Sequence, residues 1–277
     1  MSRNWVLVAL LTFFACIAGC EKSDVPANRV FSINDLGHKK VGVQIGNTAE
    51  IYASEYGGDT AKIQVERFSK LSDAIDALQK GDLDAVLCDD APAAVFASRH
   101  QSITVLNEVF KEESYAGVVA KENLGLLDSV NIALIQMRAM GVYDSIFNAF
   151  IGDNGDYHYK PQGHGTSVLR VATNAEFPPY EFHTEKGIDG IDMEIARYIA
   201  DYLNRSLEIV DMEFDAVIDA VKSGKADLGL AGFSVTEERA RIINFTDVYA
   251  TSRIVVVVRS GKEESTLQRF KDTLFGN

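Results

Sequence analysis

Two rhythms of apolar and polar positions alternate along this chain. Lys40–Gln44 (KVGVQ) and Ile63–Phe68 (IQVERF) read as short strands, from apolar residues returning at alternate positions. Leu71–Lys80 reads as a helix that Gly81 stops, and a further helix follows Gly46-Asn47-Thr48, with Thr48 as its N-cap. Ala85–Leu87 is a buried-strand run that ends in Asp89-Asp90. The grammar returns later: a strand over Val168–Thr173, a helix over Met193–Leu203, and a helix over Phe214–Ser223 stopped by Gly224. A strand over Asp227–Ala231 follows, then a helix entered at Thr236. Strands alternating with helices predict parallel α/β sheets.

Between the two stretches, Gly152–Thr166 is rich in Gly, Asp, Asn, Tyr and His, with no apolar period, and reads as a linker. The halves also share a faint repeat. Leu71–Leu87 and Phe214–Leu230 match at Ile75/Ile218, Asp76/Asp219, Ala77/Ala220, Gly81/Gly224, Asp84/Asp227 and Leu87/Leu230. Two similar α/β lobes are expected, each presenting the end of a buried strand. Ligands of open α/β sheets bind beyond such ends, and facing lobes make a cleft.

Charge and composition narrow the function. The 277 residues carry a net charge of −13, which repels phosphate backbones and argues against nucleic acid. With 47% hydrophobic and 24% charged residues, the chain is globular rather than disordered. Its N-terminus is different: Arg3 precedes an apolar run from Trp5 to Ala18 of about 14 residues, short of the ~20 that span a bilayer. That pattern reads as a secretory signal peptide over residues 1–19. Ile17-Ala18-Gly19-Cys20 resembles a bacterial lipobox, which implies cleavage before Cys20 and its acylation, as with palmitate. A plain signal peptide with an incidental cysteine is the alternative. Cys16 would leave with the leader, so Cys88, inside an apolar run, reads as a buried structural thiol. Residues 20–30 read as a polar tether.

The loop Ala172–Phe182 (ATNAEFPPYEF) follows a strand and offers Asn174, Phe177 and Tyr180. In Leu230–Tyr249, Gly232, Ser234 and Arg239 surround a helix start, where free N–H groups and a two-pronged cation suit a carboxylate. Asp89, at the end of a buried strand, suits an amine; Asp90 is its rival and a helix cap its plainer role.

These stretches resemble the bacterial family 3 extracellular solute-binding proteins, the polar amino-acid receptors of ABC importers. The resemblance rests on Phe177–Phe182 with Gly187–Asp192, on Ser234–Arg239, on Val41–Thr48 and on Leu87–Ala94, and covers residues 31–150 and 167–260. It implies the type 2 periplasmic-binding-protein fold, two α/β lobes around a central cleft. It also implies that Arg239 holds an α-carboxylate with Ser234 and Thr48, and that Asp89 pairs with the α-ammonium beside the Gly232 carbonyl. Phe177 and Phe214 would wall the side-chain pocket, and Asn174 and Gln44 would set its polarity. Near Arg239 the local chemistry is expected to be cationic.

In that family the motif around Arg239 precedes the one around Gly46; here it follows. The order implies a circular permutant. Its parts are lobe 2, the amine-binding side, over 31–110, and a return crossing with the C-terminal part of lobe 1 over 111–150. The linker 151–166 follows, then the N-terminal part of lobe 1, the carboxylate-binding side, over 167–260, and a tail over 261–277. New ends at the hinge would leave one covalent crossing instead of two. A swapped dimer or a fragment of a tandem receptor are rival readings of a monomer.

The expected role is a lipid-anchored receptor on the periplasmic or extracellular face of the membrane, taking a free amino acid to a permease, with no cofactor. The alternatives are a sensor domain of the same fold and an enzyme resembling cyclohexadienyl dehydratase, for which Glu176 and Glu181 are candidate acids. The five histidines show no metal-ligand spacing, and His158 and His164 fall in the linker.

Overall fold

The computed structural model describes residues 25–152, 157–161 and 165–260. Cys20, the leader, His164 and the tail 261–277 lie outside the described residues.

In the first half, β1 (Lys40–Gln44), α1 (Thr48–Glu55), β2 (Gln64–Phe68), α2 (Leu71–Lys80), β3 (Ala85–Asp89), α3 (Asp90–Arg99) and β4 (Ile103–Tyr115) follow in turn. Next come β5 (Val118–Val119), α4 (Leu124–Ala139) and α5 (Val142–Phe150). After the linker come β6 (Ser167–Thr173), a hairpin sheet of β7 (Glu176–Phe177), β8 (Glu181–Thr184) and β9 (Gly187–Asp189), then α6 (Ile191–Tyr202), β10 (Arg205–Asp211) and α7 (Phe214–Lys222). The last described elements are β11 (Leu228–Gly229), α8 (Glu237–Ala240), β12 (Asn244–Phe245) and β13 (Ala250–Arg259).

Two five-stranded sheets result, in the orders β2-β1-β3-β13-β4 and β10-β6-β11-β5-β12. Each has a parallel core, β2-β1-β3 and β10-β6-β11, extended by antiparallel strands. Helices pack these sheets into two α/β lobes. In α2 the buried Leu71, Ala74, Ile75 and Leu78 fall at helical spacing on the sheet side. Each buried Leu or Ile there contributes about 1.5–3 kcal/mol by leaving water. In α7, Phe214, Val217, Ala220 and Val221 do the same.

The sequence repeat has a structural meaning. Asp84 and Asp227 hold equivalent posts: the Asp84 carboxylate accepts the Lys40 N–H at 3.0 Å, and the Asp227 carboxylate accepts the Arg170 N–H at 2.9 Å. Each therefore ties the turn after its helix to the middle strand of its sheet's parallel core, β1 in one lobe and β6 in the other.

One strand goes elsewhere than the sequence reading places it. Residues 250–259, expected in the second-half lobe, form β13 inside the first-half sheet, between β3 and β4. Ile254–Val258 is a continuous apolar run buried along its length, which needs neighbours on both sides and packing on both faces. The hinge consequently has two covalent crossings, not the single one expected. One runs from β4 into β5 and the other from β12 into β13. They are tied together by Tyr249 N–H to Tyr115 O at 2.9 Å and Thr246 N–H to Gly117 O at 2.9 Å.

The described part of the tether also packs. Val30 is fully buried in the first-half core, and the Arg259 guanidinium at the end of β13 donates to Pro26 O at 3.0 Å. Cys88 is buried within β3, and its thiol pKa is pushed well up by desolvation. Among the described residues, no helix is long and apolar enough to cross a membrane.

Candidate functional site

At the junction of the lobes, two helix starts meet. Asn47, not Thr48, caps α1: its side-chain oxygen accepts the Glu50 N–H at 3.0 Å, and Thr48 is the first helical residue. Asn wins because its oxygen stands one residue farther out, where the extended backbone of a cap is found. Gly46 just before it has φ +80°, and a Cβ there would lie 3.1 Å from Asp215 Cβ on α7. The turn therefore tolerates only glycine where it touches the opposite lobe. On the other side, Thr236 caps α8 by accepting the Arg239 N–H at 3.2 Å, as its sequence position predicts.

Arg239 is 8% exposed and lies over the rings of Phe214 and Phe233. Its guanidinium donates to Ser234 O at 2.8 Å and, across the lobes, to Gly46 O at 2.8 Å. Burial lowers its pKa, and Glu113 and Asp89 oppose that shift. The surroundings are thus charge-balanced rather than cationic. Thr48 Oγ1 stands 3.4 Å from Ser234 Oγ, and Ser234 donates to Glu113 Oε2 at 2.6 Å. Gln44 Nε2 donates to Asn174 Oδ1 at 3.0 Å across the junction, and Asn174 in turn donates to Met212 O at 2.9 Å.

Asp89 ends β3 and is buried, 6% exposed. The Tyr115 hydroxyl and the Ser252 hydroxyl, the latter at 2.8 Å, both donate to its Oδ1. Desolvation raises its pKa to about 7, with Glu113 adding to the rise and the two hydroxyls opposing it. Asp90 faces outward and pairs with Arg253 at 2.8 Å. Tyr115 packs edge-on against Phe177 and Tyr180. Phe214 stacks on Phe233 with ring centres 4.8 Å apart.

Gly232 has φ +55°, and a Cβ there would lie 2.9 Å from the Phe177 ring. Its N–H donates to Asp192 Oδ2 at 3.0 Å, which the Tyr249 hydroxyl also reaches at 2.7 Å. Burial raises Asp192 to about 6 and Glu181 well above the carboxylate range, with Asp192 adding to the Glu181 rise. Glu181 is thus enclosed beside Asp192. Glu176 bridges the lobes by an ion pair with Lys70 at 2.7 Å.

Arg239, Ser234, Thr48, Asn174, Gln44 and Asp89 are therefore gathered at the lobe junction, with Phe177, Phe214 and Gly232 packed around them. Sequence reasoning missed Glu113, Tyr115 and Ser252, which come from the paired crossing strands. It also missed the joining of His158 with Asp189 and Glu194, whose candidate ligand atoms lie within 4.8 Å of one another. No short spacing signals that group. Arg197 already donates to Asp189 at 3.2 Å and to Glu194 at 2.6 Å, placing a cation where a metal would sit.

Comparison with known proteins adds an independent line. The arginine-binding extracellular protein ArtP of Bacillus subtilis is 35% identical over 108 residues, 39% of this chain and 41% of that protein. A probable histidine-binding protein of Neisseria gonorrhoeae is 31% identical over 121 residues, 43% of this chain and 45% of its own length. The chain thus spans about two fifths of the length of the curated relatives it matches. The arginine-bound domain 1 of TmArgBP is 34% identical, covering 39% of this chain and 90% of that one, at a TM-score of 0.30. Residues 169–273 of this chain match the family model of the bacterial extracellular solute-binding proteins, family 3.

Proposed function

We propose that the chain is a receptor that closes two lobes on a free amino acid and presents it to the permease of an ABC importer. The observation that carries this reading is the convergence at one junction of Arg239, Ser234 and Thr48 with Asp89, a cation and hydroxyls beside a carboxylate. That set complements a zwitterion. Arg239 takes the α-carboxylate with the two hydroxyls, and Asp89 takes the α-ammonium beside the Gly232 carbonyl. Phe177 and Phe214 wall the side chain, with Gln44 and Asn174 at its polar end. In this reading Gly46 O and Ser234 O hold the guanidinium in place, and the ligand carboxylate adds to or replaces those bonds on closure. The named ligands of the two curated relatives, arginine and histidine, agree with an amino-acid ligand.

The motif order supports a circular permutant, and so does the contact of Arg259 with Pro26, which brings residues 26 and 259 together on one lobe. Cys20 is proposed to carry the lipid that tethers the receptor to the membrane face. A thermal-shift screen of the twenty amino acids tests the function. A shift with at least one of them, lost in Arg239→Ala, is the expected result. No shift with any amino acid, or a shift unchanged in the variant, refutes the reading.

A further inference from the structure

Glu181 and Asp192 are fully buried acids that the zwitterion site leaves unused. The cations on their own elements are spent elsewhere. Arg197 of α6 pairs with Asp189 and Glu194, and His183 of β8, when protonated, pairs with Asp211 at 3.1 Å. The backbone presses the two acids together. Asp192 N–H donates to Tyr180 O at 2.9 Å and Ile191 N–H to Pro179 O at 3.1 Å. A Cβ on Gly190, at φ +129°, would lie 2.2 Å from Tyr180 O, so the start of α6 sits hard against the residue before Glu181.

Hydrogen-bond accounting shows what the pair lacks. Asp192 Oδ2 accepts the Gly232 N–H at 3.0 Å and the Tyr249 hydroxyl at 2.7 Å. Its Oδ1 and both Glu181 oxygens are buried without a donor, and two ionised carboxylates can only accept. One proton on Glu181, donated to Asp192 Oδ1, answers both acids at once. It leaves the other Glu181 oxygen as the carbonyl of a neutral acid, which costs less to bury than a charge. The donors decide which acid keeps the proton. Asp192 has two donors and the first turn of α6 to hold its charge; Glu181 has neither. The charges facing Glu181 agree: Asp192 from α6, Asp211 from β10 and Asp89 from β3 all oppose its ionisation. Tyr180 and Tyr249, the phenols beside the pair, are themselves pushed up by burial and stay neutral.

We propose that Glu181 is a positioning residue: it keeps a proton at neutral pH and donates it to Asp192, whose charge then fixes the Gly232 peptide and the Tyr249 hydroxyl. Tyr249 belongs to the hinge, where its N–H donates to Tyr115 O at 2.9 Å, and Gly232 lies against the Phe177 ring. The acid pair thus ties a site glycine to the hinge from behind. Only the use of the Gly232 carbonyl for an ammonium rests on the amino-acid reading; the shared proton does not.

Infrared spectra of protein labelled with carbon-13 at its glutamate carboxyls read the proton. At pH 7 ordinary glutamates, with a pKa of about 4.3, are ionised. The wild type should show a label-shifted carbonyl band of a protonated acid, absent from Glu181→Gln. Amide exchange followed by NMR reads the positioning. The Glu181→Gln amide can donate to Asp192 Oδ1 in place of the acid, so Gly232 exchange should stay within about twofold of the wild type. Glu181→Ala should speed it about tenfold, the loss of roughly one hydrogen bond, while the amides of α2 in the other lobe keep their rates. No acid band in the wild type, or a band that survives Glu181→Gln, overturns the shared proton. Gly232 exchange unmoved by Glu181→Ala, or raised equally in α2, overturns the positioning role. Asp192→Asn replaces a Glu181 variant that does not fold: it should shift the acid band and speed Gly232 exchange, and leaving both unmoved overturns the inference. Neither readout uses a ligand, so a failed amino-acid screen and a failed shared proton are told apart.

Discussion

Asp89 connects the fold's stability to its proposed ligand, and Asp89→Asn exposes the connection. Its carboxyl is raised from 3.8 to about 7, mainly because burial penalises the charged form. A raised carboxylate favours folding in its protonated form. Its contribution is therefore fully present below pH 3.8, is lost as pH rises toward 7, and is gone above that. A rise of about 3 pKa units at 1.36 kcal/mol each amounts to about 4 kcal/mol, of which about 1 kcal/mol is lost between pH 6 and 8. Asparagine keeps an oxygen where Tyr115 and Ser252 donate to Oδ1, and it does not ionise. Urea denaturation across pH 4 to 8.5 should show the wild type losing stability in the pH 6 to 8 window. Asp89→Asn should lose about 1 kcal/mol less there than the wild type, because Asp192, raised to about 6, and Glu181, raised well above the carboxylate range, titrate in both proteins and their slope cancels in the comparison. A ligand ammonium lowers the Asp89 pKa again, so binding near pH 7 should release about half a proton, read by titration calorimetry in buffers of different ionisation enthalpy. A pH 6 to 8 slope in Asp89→Asn equal to the wild type's would refute the assignment of Asp89 as the titrating group. Equal proton release in both proteins would remove it from the ammonium site.

Gly46→Ala puts a Cβ into a backbone with φ +80° and 3.1 Å from Asp215, so the lobes should separate. Small-angle scattering should report a larger radius of gyration, with a stability loss of about 1–2 kcal/mol for the left-handed conformation; an unchanged radius would contradict the contact. Cys20→Ala should release the protein from the membrane fraction and abolish incorporation of labelled palmitate, and retention of both would rule out acylation at Cys20.

Local signals in the sequence carried much of the lobe architecture. The helical spacing of α2, the Thr236 cap and the burial of Cys88 follow from chemistry within a few residues, and the structure has each of them. The matching Asp84 and Asp227 were legible as a repeat because each lobe solves the same problem of tying the turn after a helix to the middle strand of its parallel core. The candidate site was legible in its helix starts and its strand-end carboxylate. Strand partnership was not. β13 reads as an apolar strand, but an alternating or continuous pattern says nothing about which sheet receives it, and that choice changes the hinge from one crossing to two. Glu113 likewise looks like one of several acids on an exposed strand until β4 and β13 pair and bury it beside Ser234. Periodicity and caps are properties of neighbouring residues, so sequence determined them. Burial, charge pairing and the pKa of Asp89 are set by residues far apart in the chain, so only the tertiary structure decided them.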